Sequence, residues 1–407
     1  MTVLSPRDAH EVEQAVQWAA GAGKALEVVG RGTKRNFGRP AQWDATLDLS
    51  ALTGVTLYEP EELVLSAKAG TPLAEIEALC ARSGQELAFE PMDYGPLFGA
   101  AAGDGTIGGA IAVNASGPRR IKSGAARDHL LGLTAVSGRG ETFKTGGRVV
   151  KNVTGYDLCK LLAGSWGTLA AMAEVTVKTL PRAETEASVV LPGLAAKAAG
   201  EAMAAAMGSA HDVSAAAFLP AAVAGRVSTG FGGGPSATVL RLEGVRPSVL
   251  HRRDRLCALL RPFGAATVIE EDLSRPLWRA VRDAVPFAAG GPAGERVLWR
   301  LSTAPARGAE LAERIGRAVD AEFMHDWAGG LVWAALAPAP DGGTAVVRAA
   351  IAACGGHATL VRAPAALRAA VDVFEPQTGG LAALTKRIKD GFDPRGVLNP
   401  GRMWAGI

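Results

Sequence analysis

The residues that first suggest chemistry are Gly30-Arg31-Gly32-Thr33-Lys34-Arg35-Asn36-Phe37-Gly38, a glycine-rich basic run. Glycine permits positive φ, so successive backbone N–H groups in such a run can converge on one anion. Thr33 and Asn36 add side-chain donors, and Arg31, Lys34 and Arg35 add charge. A diphosphate suits this chemistry, because charge-assisted hydrogen bonds of roughly 1.5–3 kcal/mol each would accumulate in one small loop. The spacing is G-x-G-x5-G and no helix is expected after it. A doubly wound dinucleotide fold needs a helix N-terminus beneath the phosphates, so the run is not that fingerprint. Taken alone, it also reads as a solvated basic hairpin loop.

A second cluster, GDGTIGGAIAVNASG at 103–117, contains G-x-G-x-x-G at Gly103, Gly105 and Gly108. No strand is expected before it, which weakens it as a dinucleotide fingerprint. Gly108-Gly109 remove side chains where a flat ring or phosphate touches backbone, or where helices pack tightly. The sequence leaves both open. Two such clusters joined by alternating strands in one domain point jointly to a nucleotide cleft.

Other chemistries find little support. Cys80, Cys159, Cys257 and Cys354 are far apart, with no C-x-x-C-x-x-C run, so the chain cannot ligate an iron–sulfur cluster alone. Such cysteines fit reduced thiols in the cytoplasm. The histidines at 10, 129, 211, 251, 325 and 357 stand singly, so no protein metal site is expected. A net charge of +3, from 43 basic and 40 acidic residues, argues against a nucleic-acid binder. No signal peptide and no transmembrane segment are expected. Asn152-Val153-Thr154 matches a glycosylation sequon, which has no meaning without secretion.

The elements that must position the two clusters follow from periodicity. Ser5-Pro6-Arg7-Asp8 opens a helix, and a strand at 25–29 runs straight into the basic loop. Strands follow at 46–49, 54–58 and 63–67, then a helix to about Arg82. The segment 91–117 reads as irregular, 130–137 with 141–144 as a hairpin, and 172–180 as a strand. After Pro181 the order strand-helix-strand-strand-helix-strand appears twice, with a helix near 274–284 between the halves, suggesting two ferredoxin-like units. The tail holds a basic helix broken by Pro394 and Pro400. Trp278, Trp299, Trp327 and Trp333 are expected mostly in the core, with one or two at a subunit interface.

Together these segments resemble the FAD-binding oxidoreductase family of vanillyl-alcohol oxidase and p-cresol methylhydroxylase. The resemblance runs through 30–38, TIGGAIAVNASG at 106–117, SGAARDHLLGLTAVSGRGE at 123–141, VVKNVTGYDLCKLLAGSWGTLAAMAEVTVKTLP at 149–181 and FDPRGVLNPGRM at 392–403. Within the family it is nearest to the E-type subunits of bacterial glycolate oxidases, through GPRRIKSGAARDHLLG at 117–132. It implies an α+β fold: a two-subdomain FAD-binding domain over 1–183 (subdomains about 1–52 and 53–183) and a ferredoxin-like α+β cap over 184–375. Residues 376–407 would return to the FAD domain.

Carried over by position, the resemblance implies that Gly30, Arg31, Gly32, Thr33, Lys34, Arg35, Asn36 and Gly38 wrap the pyrophosphate. Thr106, Gly108, Gly109, Asn114 and Gly117 would line the flavin–diphosphate cleft, and Gly124 and Asp128 would border the isoalloxazine. Gly164, Gly167 and Thr168 would close the adenosine side, with backbone at Met172 meeting the adenine. Ala170-Ala171-Met172 departs from the Gly-Val-Ile often found there. No histidine or cysteine lies in the basic loop, so FAD is expected to bind non-covalently.

The implied activity is FAD-dependent oxidation of CH–OH groups. The chain would be the FAD-binding subunit of a glycolate oxidase complex, oxidising glycolate or a similar short 2-hydroxy acid to the 2-oxo acid. Its implied partners are a second flavoprotein subunit and an iron–sulfur subunit. The implied location is cytoplasmic, peripheral at the inner face of the cell membrane where partners hold it there. The catalytic residue stays unassigned. A histidine-rich G-D-G-N-x-H signature of related catalytic subunits is absent, so His211, His251, His325 and His357 read as structural or surface residues. Tyr156 and His129 are the fallback candidates for a base. Two other readings remain: a self-sufficient FAD-dependent hydroxy-acid or alcohol dehydrogenase, and a non-catalytic assembly subunit.

Overall fold

The computed structural model describes residues 2–149, 155–227 and 234–407. The sequon at 152–154 lies outside the described residues. Helix α1 (Ala9–Ala22) starts where Asp8 accepts the Glu11 N–H at 2.8 Å and ends at Gly23, with φ 63°. Its buried face, Val12, Val16 and Ala19, covers a small parallel sheet of β1 (Thr2–Leu4), β2 (Leu26–Val29) and β3 (Ala45–Asp48), in the order β1-β3-β2. The basic loop therefore leaves the C-terminal end of β2, at the sheet edge. That edge is covered by the chain's own tail, where Leu398 bridges Leu26.

A five-stranded antiparallel sheet comes next, in the order β4-β5-β9-β7-β8. Its strands are β4 (Val55–Glu59), β5 (Val64–Lys68) and, after the two-residue β6 (Gln85–Glu86), β7 (Leu130–Ser137), β8 (Thr142–Gly146) and β9 (Ala170–Lys178); β6 pairs with β10 (Leu180–Pro181). The β7–β9 register slips between Thr134 and Ala135. The slip lets Ala170 and Met172 before it, and Val175 and Val177 after it, enter one core with the side chains of helix α2 (Leu73–Arg82). Residues 91–117 are not irregular throughout. Thr106 caps the short helix α3 (Ile107–Ala112), and α4 (Arg120–Ser123), α5 (Ala126–His129) and α6 (Leu158–Leu162) add single turns. These turns are too short for apolar periodicity to show.

The C-terminal half is one eight-stranded antiparallel sheet, ordered β14-β11-β13-β12-β16-β17-β15-β18. It is built from β11 (Thr185–Pro192), β12 (Ala215–Leu219), β13 (Ala237–Gly244), β14 (Thr267–Glu270), β15 (Val297–Ser302), β16 (Ala321–Asp326), β17 (Leu331–Leu336) and β18 (His357–Arg362). Each half has the spatial order 4-1-3-2 of a ferredoxin-like unit, and the halves join where Phe218 of β12 pairs with His325 of β16. The strands are apolar on both faces for a reason. In β13, Leu240 and Leu242 pack under the flanking helices, while Val239 faces a core shared with Phe37, Tyr94 and Leu97 of the N-terminal half. Trp278, Trp299 and Trp333 are fully buried and Trp327 nearly so, so none anchors an exposed interface.

Charge reinforces the seam between the halves. Arg241 of β13 makes a bidentate pair with Glu90 at 2.9 and 3.0 Å, and Arg119 joins Glu90, Glu86 and Glu243. The tail is fastened equally firmly. Lys389 Nζ donates to Thr168 O at 2.6 Å, Asp393 Oδ2 at 2.7 Å and Leu398 O at 2.9 Å, all buried. No helix among the described residues is long and apolar enough to cross a membrane.

Candidate functional site

A cleft runs between the basic loop, the end of β2 and the start of α3. Val28, Val29, Gly30, Thr106, Gly109, Ala112 and Trp166 line it along its length. Its floor follows from close packing. A Cβ on Gly30 would come within 2.7 Å of Thr106 Oγ1, so the loop can lie directly on the cap of α3.

The loop's donors point to an anion. The backbone N–H groups of Arg31, Gly32, Thr33 and Lys34 donate to no protein group among the described residues. Gly32, at φ 75°, supplies the left-handed turn that brings them round. Arg31 is held only loosely, 3.6 Å from Asp104, with both side chains partly exposed. Lys34 is half-buried, with its ammonium 3.3 Å from Thr33 Oγ1 and 5.6 Å from the centre of the Tyr94 ring. Burial pulls its pKa down to about 8, against the pull of Asp93 and with the help of Arg402. Free N–H groups in a row beside two cations fit a diphosphate, and thus a dinucleotide cofactor.

The two adjacent glycines of the second cluster do different things. A Cβ on Gly108 would strike Ala69, at 2.7 Å from its Cβ and 2.8 Å from its carbonyl oxygen. Gly108 is therefore required by packing of α3 on the chain after β5. Gly109 turns the other way, toward Lys34 across the cleft. At the apolar end, Leu49, Ala69, Gly167, Ala170 and Met172 close the walls.

The tail supplies braces that the loop's own sequence does not reveal. Asn399 Oδ1 accepts from Val28 N at 2.8 Å and its Nδ2 donates to Trp166 O at 2.8 Å, tying β2 to the glycine turn at 164–167. Arg402 donates to Lys34 O at 2.6 Å. Both line the cleft.

Val113 and Trp166 also wall a cavity of about 380 Å³ between the N-terminal half and the large sheet. Phe37, Tyr94, Trp166 and Phe374 give it aromatic walls, while Asn114, Ser116, Arg120, Arg300, Ser302, His357 and Thr359 supply polar ones. Register explains the sheet's share. Arg300 pairs with Thr359 and Ser302 with His357 across β15 and β18, so all four side chains stand on one face. His357 sits at the rim, and burial together with Arg300 lowers its pKa. Burial also raises that of Tyr94.

The residues singled out in the sequence divide accordingly. Gly30, Arg31, Gly32, Thr33, Lys34, Arg35, Thr106, Gly108, Gly109, Gly167 and Met172 line the cleft, and Asn114 and Gly164 line the cavity. Gly164 thus stands with Asn114, away from Gly167 and Met172. Arg35 spends its guanidinium on buried Glu27, at 2.9 Å to each carboxylate oxygen. Asn36, Gly38, Gly117, Gly124, Asp128 and Thr168 lie outside the walls. Gly38 packs on Arg402, and Gly117 packs on Glu90 and accepts from Trp327 Nε1. Asp128 caps α5 by accepting from Ala125 N, beside Gly124. Thr168 O receives Lys389. Tyr156 is 92% exposed, and His129 is buried against Ser123 O, so neither fallback base reaches the cavity. His325 is buried against the Phe218 ring. His357, read from sequence as a structural or surface residue, lines the cavity, as do Arg300 and Arg120, which had no role assigned from sequence. The visible signal on the two strands is alternation in Trp-Arg-Leu-Ser and His-Ala-Thr-Leu, where polar residues alternate with buried apolar ones.

Comparison with known proteins agrees with this geometry. Residues 2–146 match the family model described as FAD binding domain. The chain is 32% identical over 381 residues to the glycolate oxidase subunit GlcE of Escherichia coli, covering 93% of each chain. A D-lactate dehydrogenase of Anaerostipes hadrus matches over 146 residues at 32% identity, 36% of this chain and 29% of that one. Among solved structures, p-cresol methylhydroxylase with substrate bound superposes with a TM-score of 0.74 over 98% of this chain and 88% of that one, at 12% identity, which shows the fold.

Proposed function

Because this chain belongs to the FAD-linked oxidoreductase family that includes glycolate oxidase subunit GlcE, we propose that it is the FAD-binding subunit of a glycolate-oxidising complex. Its substrate is glycolate or a similar short 2-hydroxy acid, oxidised to the 2-oxo acid. The observation that carries this reading is adjacency. Val113 and Trp166 wall both the cleft with its row of free donors at Arg31–Lys34 and a cavity that has Arg120, Arg300 and His357 in its own walls.

In this reading the FAD domain spans 1–183, the cap 184–375, and the segment 376–407 returns to brace the cofactor site. Residues 30–34 hold the diphosphate, Gly109 lets it approach α3, and the apolar end at Leu49, Gly167 and Met172 receives the adenine. FAD, when bound, supplies the hydride acceptor. His357 takes the hydroxyl proton of the acid. Its lowered pKa keeps the imidazole neutral at pH 7, the state that can accept a proton.

The sequence carries no cluster-ligating cysteine run, so the reading assigns onward electron transfer to an iron–sulfur subunit, beside a second flavoprotein subunit. The complex is placed in the cytoplasm, reaching the membrane only through partners. The test is anaerobic mixing of purified, FAD-loaded chain with a panel of short 2-hydroxy acids. Bleaching of the visible flavin band by glycolate, with turnover to a dye only after partner subunits are added, supports the reading. Bleaching with full turnover by the isolated chain supports a self-sufficient dehydrogenase.

A further inference from the structure

We propose that Arg300 is the carboxylate-binding, specificity-determining residue of the large cavity, with Arg120 as its second positive wall and a short monocarboxylate as the ligand. The inference rests on the reading of the cavity as the substrate site and names the group that selects acids over alcohols.

Arg300 is half-buried on β15, yet its guanidinium has no hydrogen bond and no ion pair among the described residues; it lies over the face of Trp327, 5.0 Å from the ring centre. Other arginines nearby are well occupied. Arg362 on β18 donates to the carbonyls of Leu97, Phe287 and Ala293, and Arg241 holds Glu90. Arg120 lies 5.5 Å from the same Trp327 ring and reaches only Asp128, at 3.9 Å. Among the described residues, none of those lining the cavity is an aspartate or glutamate. Two guanidiniums facing a walled space without an anion repel each other, and Arg300 indeed adds to burial in lowering the pKa of Arg120. A bound carboxylate relieves both.

The ring between them is deliberately held. Trp327 and Ala328 both adopt left-handed backbone, at φ 52° and 56°, which neither residue favours. The turn is maintained by Trp327 Nε1 donating to Gly117 O at 2.9 Å and Trp327 N donating to Asp326 Oδ1 at 2.7 Å. A strained turn that fixes a tryptophan between unpaired Arg300 and loosely paired Arg120 is a positioning device for their charge. Thr359 and Ser302, next to Arg300 on the same face, add hydroxyls that suit a carboxylate oxygen and an α-hydroxyl.

The experiment uses FAD-loaded protein and two readouts: perturbation of the flavin spectrum by oxalate, which needs no turnover, and anaerobic reduction by glycolate. Arg300→Met is expected to keep its FAD but to weaken oxalate binding and half-saturation by glycolate by roughly tenfold to a hundredfold, the loss of one charge-assisted pair. Arg300→Lys should recover part of this. Oxalate binding that is absent in the wild type, or unchanged in Arg300→Met, overturns the proposal. The two readings separate cleanly. Arg300-dependent oxalate binding without reduction by any hydroxy acid would sink the proposed activity and leave this site standing, whereas unaltered glycolate affinity in Arg300→Met would do the reverse.

Discussion

A Cβ on Gly109 would stand 3.3 Å from Lys34 Nζ, so the absence of a side chain at 109 is what leaves the ammonium facing the open cleft. Its neighbour Gly108 has the opposite constraint, pressed onto Ala69. The pair therefore separates cofactor binding from packing. Gly109→Val should fold and lose most of its FAD. Gly108→Val should lose stability first, by about 1–3 kcal/mol from overpacking. Flavin content by absorbance and Tm by calorimetry check both; equal FAD content in wild type and Gly109→Val would remove the diphosphate from this wall.

Lys34 makes FAD affinity depend on pH. Burial holds its pKa near 8 in the unliganded protein. For stability the sign runs against the usual lysine: the unfolded chain keeps the proton to higher pH, so this residue costs stability below about pH 8, and the cost fades toward its ordinary value of 10.5. An anionic diphosphate favours the ammonium, so binding above pH 8 takes up a proton. FAD affinity should then fall by up to about tenfold per pH unit above pH 8. Equilibrium titration of apoprotein at pH 7, 8 and 9 measures this, and Lys34→Met should flatten the profile.

Much of this was legible in the sequence, and unevenly so. The strands and helices after Pro181 declare themselves because apolar strands alternate with alanine-rich helices, and the repeated order is enough to give two ferredoxin-like units. The loop at 30–38 declares an anion site through glycine and charge. Arg35 does not show which way it turns, since its partner Glu27 lies in the preceding strand and is buried. Nor does spacing reveal Asn399 or Arg402, which reach the cleft from more than 360 residues away. His357 looks isolated because its companions, Arg300 and Arg120, come from other elements. Only the register of β15 on β18 and the seating of α4 bring them together.

Glu90 fastens the cap to the N-terminal half. Burial alone would raise its pKa, but Arg241 and Arg119 outweigh that and hold it at about 2. Its contribution is present above the unfolded value of 4.5 and is lost as pH falls through about 2. Glu90→Gln should cost about 3 kcal/mol, because it takes the bidentate partner from buried Arg241 and leaves that guanidinium with Glu243 alone, while Arg119 keeps Glu86 and Glu243. Denaturant unfolding at pH 7 tests this; an unchanged midpoint would mean the seam does not depend on the pair.

Asn399 is predicted to govern FAD affinity by holding the cleft walls in place. Asn399→Ala leaves Val28 N and Trp166 O unpaired and frees the turn beside Gly167. A loss of about 1–3 kcal/mol is expected in stability. FAD affinity should weaken in parallel, while the pH profile set by Lys34 stays in place. Flavin fluorescence on titration of apoprotein reads this out.

The most direct measurement is anaerobic titration of the purified protein with glycolate, following the visible flavin band. The account predicts one non-covalent FAD per chain, released intact by acid, and bleaching of that band by glycolate. Bound FAD that no short 2-hydroxy acid reduces, either alone or with partner subunits present, would contradict it.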